Sequence, residues 1–549
     1  MKLSSHVTRR RLLGGAATVA AAGAAAVVLP DVLGVSDASI KMPFIAASSS
    51  DDEGWTFPDD PRVRAAHLLR RTGFAPRRSE VDELATLPLD EMVSRVMDFD
   101  VADDIEEVLA SLGVDPYEDP HDLGRWWALR MVYSSRPMLE RMTLFWHDHF
   151  AAAIDKVEDP WMMWEQNKLF RENALGNFRD LVLATAKDPA MLVWLDNRHN
   201  VKGSPNENYA RELMELHTTG PGIYSEEDIK ESARAFTGWG LRREHQREFR
   251  QKAEELRLLM DQADLTNEER RELREELWRL RRDYPLRFYF SADRHDDGVK
   301  TFLGETGAWD GSDIIDILVR QDACADFICR KLYKHFVGDE PSEGTMKTLK
   351  GVYFDGGYEL RPIVRQIVLS ESFFSDEAYR ARIKSPVEFV AGAARALDAE
   401  TNGAGLAFAM AGLGQRLFDP PNPAGWPGGP AWINGNTIIT RSNIATAIAA
   451  ARGPMDHGGA GGRGADAFAK IDPVALICDA TEAGEIVEKL ADLLLDGNVT
   501  NADLNAMVEY LHTGPDGSYQ EFELTERSID EKVRGLVYLM LSSPLFQLS

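Results

Sequence analysis

Three polar clusters, set in a chain of mostly helical pattern, hold residue types suited to catalysis. The first is Trp146-His147-Asp148-His149. Imidazoles and carboxylates are common metal ligands, and they carry protons near neutral pH. On a helix, His147 and His149 point about 200° apart. One metal takes both only at a bend or a helix end. Ala151-Ala152-Ala153 predict that the helix continues, so one ligand from this segment is expected. Asp148 then orients a neighbouring imidazole or moves a proton. The competing reading is a buried, hydrogen-bonded histidine beside one that caps the helix or faces solvent.

The second cluster is Glu207-Asn208-Tyr209-Ala210-Arg211-Glu212-Leu213-Met214-Glu215-Leu216-His217. Asn208, Glu212 and Glu215 follow i, i+4, i+7 and share one helix face. Stacked carboxylates repel unless a cation lies among them. That cation is either a metal, as in helix-bundle metal centres, or Arg211, four residues from both Glu207 and Glu215. No Glu-x-x-His pair occurs here, which weakens a di-iron reading. A buried Arg–Glu network locking helices together explains the same pattern. The third cluster is His295-Asp296 with Lys300, on a loop after a short strand, where a scaffold can present a site. It also reads as a turn with a capping aspartate.

Together these give a candidate metal set of His147, His149, Glu212, Glu215, His217 and His295. Asp148, Glu207 and Arg211 are the candidate proton carriers and positioning groups. Histidine with carboxylate suits zinc, manganese or iron, which would activate water or dioxygen. Substrate contacts are expected from Trp239, Lys300, Trp426 and Trp432. The two last tryptophans lie in a Pro/Gly-rich segment and serve either to stack on sugar rings or to plug a helical core. Arg416 and Arg441 flank that segment and suit an anion. A nucleophilic serine is weakly supported. No G-x-S-x-G occurs, and Ser385 before Pro386 reads as a helix N-cap.

The elements that must hold these groups are mainly α-helical. Apolar residues recur at spacings of 3–4 over Asp122–Ser135 and again after Pro137. Helices are also expected over Asn208–His217, Glu226–Phe236, Asp313–Val337, Lys384–Leu397 and Asp530–Leu541. The best alternating stretch is Arg287-Phe288-Tyr289-Phe290. The fold expected is thus one large multi-helix globular domain with few short strands. Residues 241–283 stand apart, with twelve basic and twelve acidic side chains. Two thin apolar stripes and a capping box at Thr266-Asn267-Glu268-Glu269 mark them as an inserted antiparallel helical hairpin. It is either a solvated spacer or an arm that docks a partner or covers a site. Residues 452–466 are Gly-rich, but no phosphate-loop pattern is present.

The ends and the charge place the protein. Thr8-Arg9-Arg10-Arg11-Leu12-Leu13 precedes an Ala/Gly-rich apolar run and a small-residue cleavage site near Ala38. This is a twin-arginine signal over residues 1–38, followed by a polar linker over 39–60. Export to the periplasm or outside is expected, with peripheral membrane association only if the signal is retained. The net charge of −27 argues against nucleic acid as a partner. Three cysteines, Cys324, Cys329 and Cys478, are too few for a disulfide framework and read as buried thiols.

Several ordered motifs carry a resemblance. They include His67-Leu68-Leu69-Arg70-Arg71-Thr72-Gly73-Phe74, Glu140 to Phe150, and Lys187-Asp188-Pro189-Ala190-Met191. They continue with Asn206 to His217, Ala235-Phe236-Thr237-Gly238-Trp239, Lys384-Ser385-Pro386-Val387-Glu388 and Pro420 to Trp426. Over residues 61–549 the chain resembles the bacterial domain of unknown function 1800 family. The resemblance implies an exported, largely helical protein, often encoded beside a second exported protein that is a candidate partner. It leaves the reaction open. Two functions fit: a metal-dependent hydrolase or oxidoreductase, or a non-catalytic envelope protein that binds a polysaccharide or that neighbour.

Overall fold

The computed structural model describes residues 57–116, 122–262, 264–450 and 468–549. The signal, most of the linker and the Gly-rich loop lie outside the described residues. Phe57, at the end of the expected linker, already packs edge-on against His67, Phe374 and Tyr379. The folded part therefore starts before Pro61.

The protein is mainly α-helical, with two small antiparallel sheets among the described residues. The helices around the site are α1 (Pro61–Thr72), α2 (Leu123–Tyr133), α3 (Pro137–His149), α4 (Pro160–Glu172) and α5 (Glu207–Glu212). They continue with α6 (Glu226–Ala235), α7 (Gln246–Met260), α8 (Asn267–Asp283), α9 (Asp322–Phe336) and α10 (Pro386–Ala396). None of the helices among the described residues is long and apolar enough to cross a membrane.

Two apolar cores meet along α3. One holds Met138, Met142, Phe145 and Trp146 of α3 with residues from 65–97, 170–239 and 302–378. The other holds Leu144 with α2 and most of 383–546. A helix buried nearly all round belongs in a core rather than on a surface. It is fixed by Glu140, whose carboxylate accepts from Arg130 Nε (2.9 Å), Arg171 Nε (2.8 Å) and Trp127 Nε1 (3.0 Å). Burial alone would raise that carboxyl. Arg171 and Arg130 override burial and bring it down to about 2.

The helix expected over Asp313–Val337 is two helices, Gly311–Val319 and α9. They break at Arg320-Gln321, where Gln321 turns extended as the N-cap of α9. The expected hairpin is α7 and α8. It rises from a two-stranded ribbon of β1 (Trp239–Arg243) and β2 (Leu286–Phe290), with Trp239 opposite Phe290. Thr266 accepts the Glu269 N–H and Glu269 accepts back, as the sequence predicts. The hairpin has its own small core of Ala253, Leu256 and Leu280. The second ribbon pairs β3 (Lys300–Phe302) with β4 (Glu305–Gly307).

Candidate functional site

The site forms where α3 ends. The helix stops at His149, and the Phe150 N–H makes its last bond, to the Trp146 carbonyl at 2.8 Å. The expected continuation through Ala151-Ala152-Ala153 does not occur. These alanines are buried, and the next N–H, of Ile154, bonds the Phe418 carbonyl at 2.9 Å. Tertiary packing overrides the alanine propensity here.

Even at this helix end, His147 and His149 diverge. His147 is fully buried among Trp127, Phe418 and Trp426, and burial pushes its imidazole down to about 3. Neither of its ring nitrogens has a hydrogen-bond partner among the described residues. On the other side of α3, His149 Nε2 bonds the His217 carbonyl at 3.0 Å. Its Nδ1 lies 2.9 Å from Nζ of Lys331 on α9. This pattern fixes the tautomer: Nε2 carries the proton and donates, and Nδ1 accepts from the lysine.

His217 reaches this point because α5 runs into a π-helical segment, Leu213–Thr218. The wider turn shifts His217 relative to plain α spacing, a local irregularity common at functional sites. Its Nε2 is buried without a partner among the described residues. Burial and the nearby Lys331 hold the ring down to about 3. Burial also lowers Lys331, partly offset by Asp148. Burial raises Asp148, against Lys331 and an N–H bond from Trp426. Thus a buried amine and a buried carboxyl act on one another electrostatically, each drawn by burial toward its neutral form.

Beside Asp148 opens a cavity of about 540 Å³ between the two cores. Its walls include Arg141, Asp148, His335, Arg382, Trp426 and Trp432. Asp148 Oδ1 accepts the Trp426 N–H at 2.7 Å and so ties the Pro/Gly-rich loop to α3. Gly425, at φ +87°, makes this possible, because any Cβ there would collide with the Asp148 carboxylate. Arg141 Nη2 bonds Glu388 Oε1 at 2.6 Å, and its Nε donates to His335 Nε2 at 3.0 Å. His335 is held neutral, first by burial and then by the arginines around it. Arg382 lies 3.7 Å from the same Glu388 oxygen. Ser385 is the N-cap of α10, as expected, in a reciprocal capping box with Glu388.

The remaining sequence candidates fall elsewhere. Arg211 pairs with Glu226 at 2.9 Å and Glu207 at 3.5 Å on the surface, not with Glu215. Glu212 is partly exposed, and its carboxyl is raised by burial and by Glu215. Glu215 accepts from Tyr224 at 3.3 Å. His295 Nδ1 bonds the Thr237 carbonyl at 2.8 Å, and Arg234 pairs with Asp296 at 2.9 Å. Lys300 Nζ donates to the Asp296 and Gly298 carbonyls at 2.6 and 3.0 Å. That cluster locks a turn onto Gly238. Trp239 is buried between Phe236 and Phe288. Arg441 donates to the Lys384 carbonyl and Gln547, and Arg416 pairs with Asp419. Cys324 and Cys329 are buried as expected, whereas Cys478 is exposed, a correction to its reading as a buried thiol.

Of the predicted residues, Asp148, Trp426 and Trp432 line the cavity, and His149 and His217 meet beside Lys331. The six expected ligands do not converge: among the described residues no group of three His, Cys, Asp or Glu side chains has metal-holding geometry. The sequence reading passed over Lys331, Lys334, His335, Arg141, Arg382 and Glu388. One signal was present. Lys331, Lys334 and His335 are polar at i, i+3, i+4 on a helix whose other stripe is Cys324, Ile328, Cys329, Leu332 and Phe336.

Fold and site describe a two-core helical protein with a charged, aromatic-walled cavity at the seam. The chain belongs to the family described as protein of unknown function (DUF1800), which matches residues 67–548. No curated protein and no solved structure matches the chain.

Proposed function

We propose that the protein is an exported enzyme performing general acid–base chemistry on a small molecule held in the seam cavity. Asp148 and Lys331 are the proton-transfer pair, and His149 positions the lysine. The observation that supports this is Asp148 on the cavity wall within electrostatic reach of the buried Lys331, with burial drawing both toward neutrality. Such pairs are how acid and base roles are set at working pH. The twin-arginine pattern at residues 8–13 supports export to the periplasm or beyond.

The test is a panel of chromogenic glycosides, esters and phosphoesters, assayed with wild type, Asp148→Asn and Lys331→Met. Turnover lost in both variants, with melting temperatures preserved, supports the reading. Turnover that survives in both overturns it. A wild type inert on every member favours the non-catalytic envelope role, with the hairpin or the tryptophan loop as binding surface.

A bound divalent metal, zinc, manganese or iron, is the second reading. It is favoured by the unpartnered buried nitrogens of His147 and His217. Lys331 opposes it, because its Nζ already holds His149 Nδ1 at 2.9 Å. Elemental mass spectrometry of untagged exported protein decides: stoichiometric metal lost in His217→Ala supports a centre there.

A further inference from the structure

The cavity wall carries more positive charge than its carboxylates balance. Arg141, Lys334 and Arg382 line it against the carboxylates Asp148 and Glu388, and behind them Arg71 and Arg441 also lie in the field of Glu388. Arg71, Arg141 and Arg441 are buried, and Arg382 is largely so. Arg71, directly behind the wall, leaves Nε and Nη1 buried without a partner among the described residues. Gly338 lets this crowding happen. At φ +97°, a Cβ there would stand 2.8 Å from Arg382 Cγ and 3.6 Å from Arg71 Nη2. Buried charge that is not paired is costly, and a surplus of one sign leaves a place for a counter-ion. The surplus is the more telling in a chain of net charge −27.

The same cavity has two indole walls, Trp426 and Trp432. Indole faces take the flat side of a ring. Asp148, Gln415 and Ser385 add hydrogen-bonding groups to the lining. Its volume of about 540 Å³ lies within the ~300–1,000 Å³ typical of small-molecule sites. A hydroxylated ring with one carboxylate matches all three features. The acidic outer surface repels a long polyanion, so a free sugar suits this cavity better than a polymer.

We infer that the cavity binds an acidic monosaccharide, its carboxylate on the guanidinium groups of Arg141 and Arg382 and its ring against Trp426 and Trp432. This assigns a substrate class to the site proposed above and rests on that cavity serving the Asp148–Lys331 pair. A guanidinium carries five N–H donors. Arg141 commits Nε and Nη2 to His335 and Glu388, and Arg382 commits Nη1 to the His335 carbonyl, which leaves further donors for a ligand carboxylate.

The experiment is isothermal titration of the full-length protein with D-glucuronate, D-glucose and inorganic phosphate, with tryptophan fluorescence read in parallel. Glucuronate is expected to bind one to one and change the fluorescence. Glucose and phosphate are each expected to bind roughly tenfold or more weakly, the scale of a lost charged contact. Arg382→Gln is expected to weaken glucuronate by a similar factor. If Arg382→Gln fails to fold, Trp432→Phe takes its place and should weaken glucuronate with little effect on phosphate. Equal binding of glucose and glucuronate overturns the inference, as does phosphate binding as tightly as glucuronate, or no binding at all. Lys331→Met separates the two proposals. Lost turnover with intact glucuronate binding upholds both. Retained turnover with intact binding sinks only the acid–base reading.

Discussion

At the residue scale, buried charge decides more than exposed charge. Glu140 has no access to water and serves two arginines and an indole, which fixes three elements at once. Glu140→Gln leaves Arg130 and Arg171 without their shared anion. The expected loss is about 3–5 kcal/mol, the cost of breaking a buried pair, measured by urea denaturation at pH 7. The carboxyl sits at about 2 in the folded protein, against 4.5 as its ordinary value. A folded value below the unfolded one stabilises above the unfolded value, and that stability drains away as pH falls through the folded one. Wild-type stability should therefore fall between about pH 4.5 and pH 2 more steeply than that of Glu140→Gln. Parallel pH curves for the two proteins would count against the pairing. Glu388, also depressed by Arg141 and Arg382 after overcoming its burial, contributes in the same direction.

At the element scale, helix ends and interruptions create the site. His149, the last residue of α3, meets Lys331 through its Nδ1, and the π segment Leu213–Thr218 shifts His217 out of regular α spacing beside it. The charged hairpin contributes nothing to either main core. It packs on itself, and one brace to the body is the Arg281 bond to the Glu158 carbonyl at 3.0 Å. Replacing residues 244–285 by an Asn-Gly turn leaves Arg243 opposite Leu286 across a two-residue loop, a register such a loop can close. The melting temperature is expected to stay within about 2 °C of wild type, since at ~2.1 cal/mol/K per residue a loss of ~1 kcal/mol shifts a chain of this length by about 1 °C. A collapse of stability in calorimetry would show that the hairpin is part of the fold rather than an appendage.

At the scale of the whole molecule, the two cores share α3 and the ion pairs beside the cavity. Arg70 of α1 pairs with Asp496, and Arg141 of α3 pairs with Glu388 of α10. Neither core can lose its structure without stripping partners from buried charges in the other. Unfolding is therefore expected as one transition, with tryptophan fluorescence and far-ultraviolet circular dichroism giving the same urea midpoint. Two separated midpoints would mean that the seam is weak and the cavity can open by itself. A cavity at such a seam also explains why the site draws on residues as distant in sequence as Arg141, His335 and Trp432.

Local pattern was enough for the helical class, the hairpin with its capping box, the Ser385 cap and the strand around Phe288. These follow from apolar spacing and capping chemistry, which act within one or two turns of chain. The same spacing pointed to Asp148, His149, His217 and the tryptophan loop as site residues. Other outcomes depended on what comes near from far away. Beyond α3 the buried Ala151-Ala152-Ala153 leave the helix and the Ile154 N–H goes to Phe418, while Thr237 and Arg234 draw His295 and Asp296 into a turn lock. Lys331 and Arg382 acquire a role only once α9 and the segment before α10 close over Asp148. Spacing reports which residues share a face. The burial, charge balance and hydrogen-bond partners of that face are set by its neighbours, and those only the tertiary structure decides.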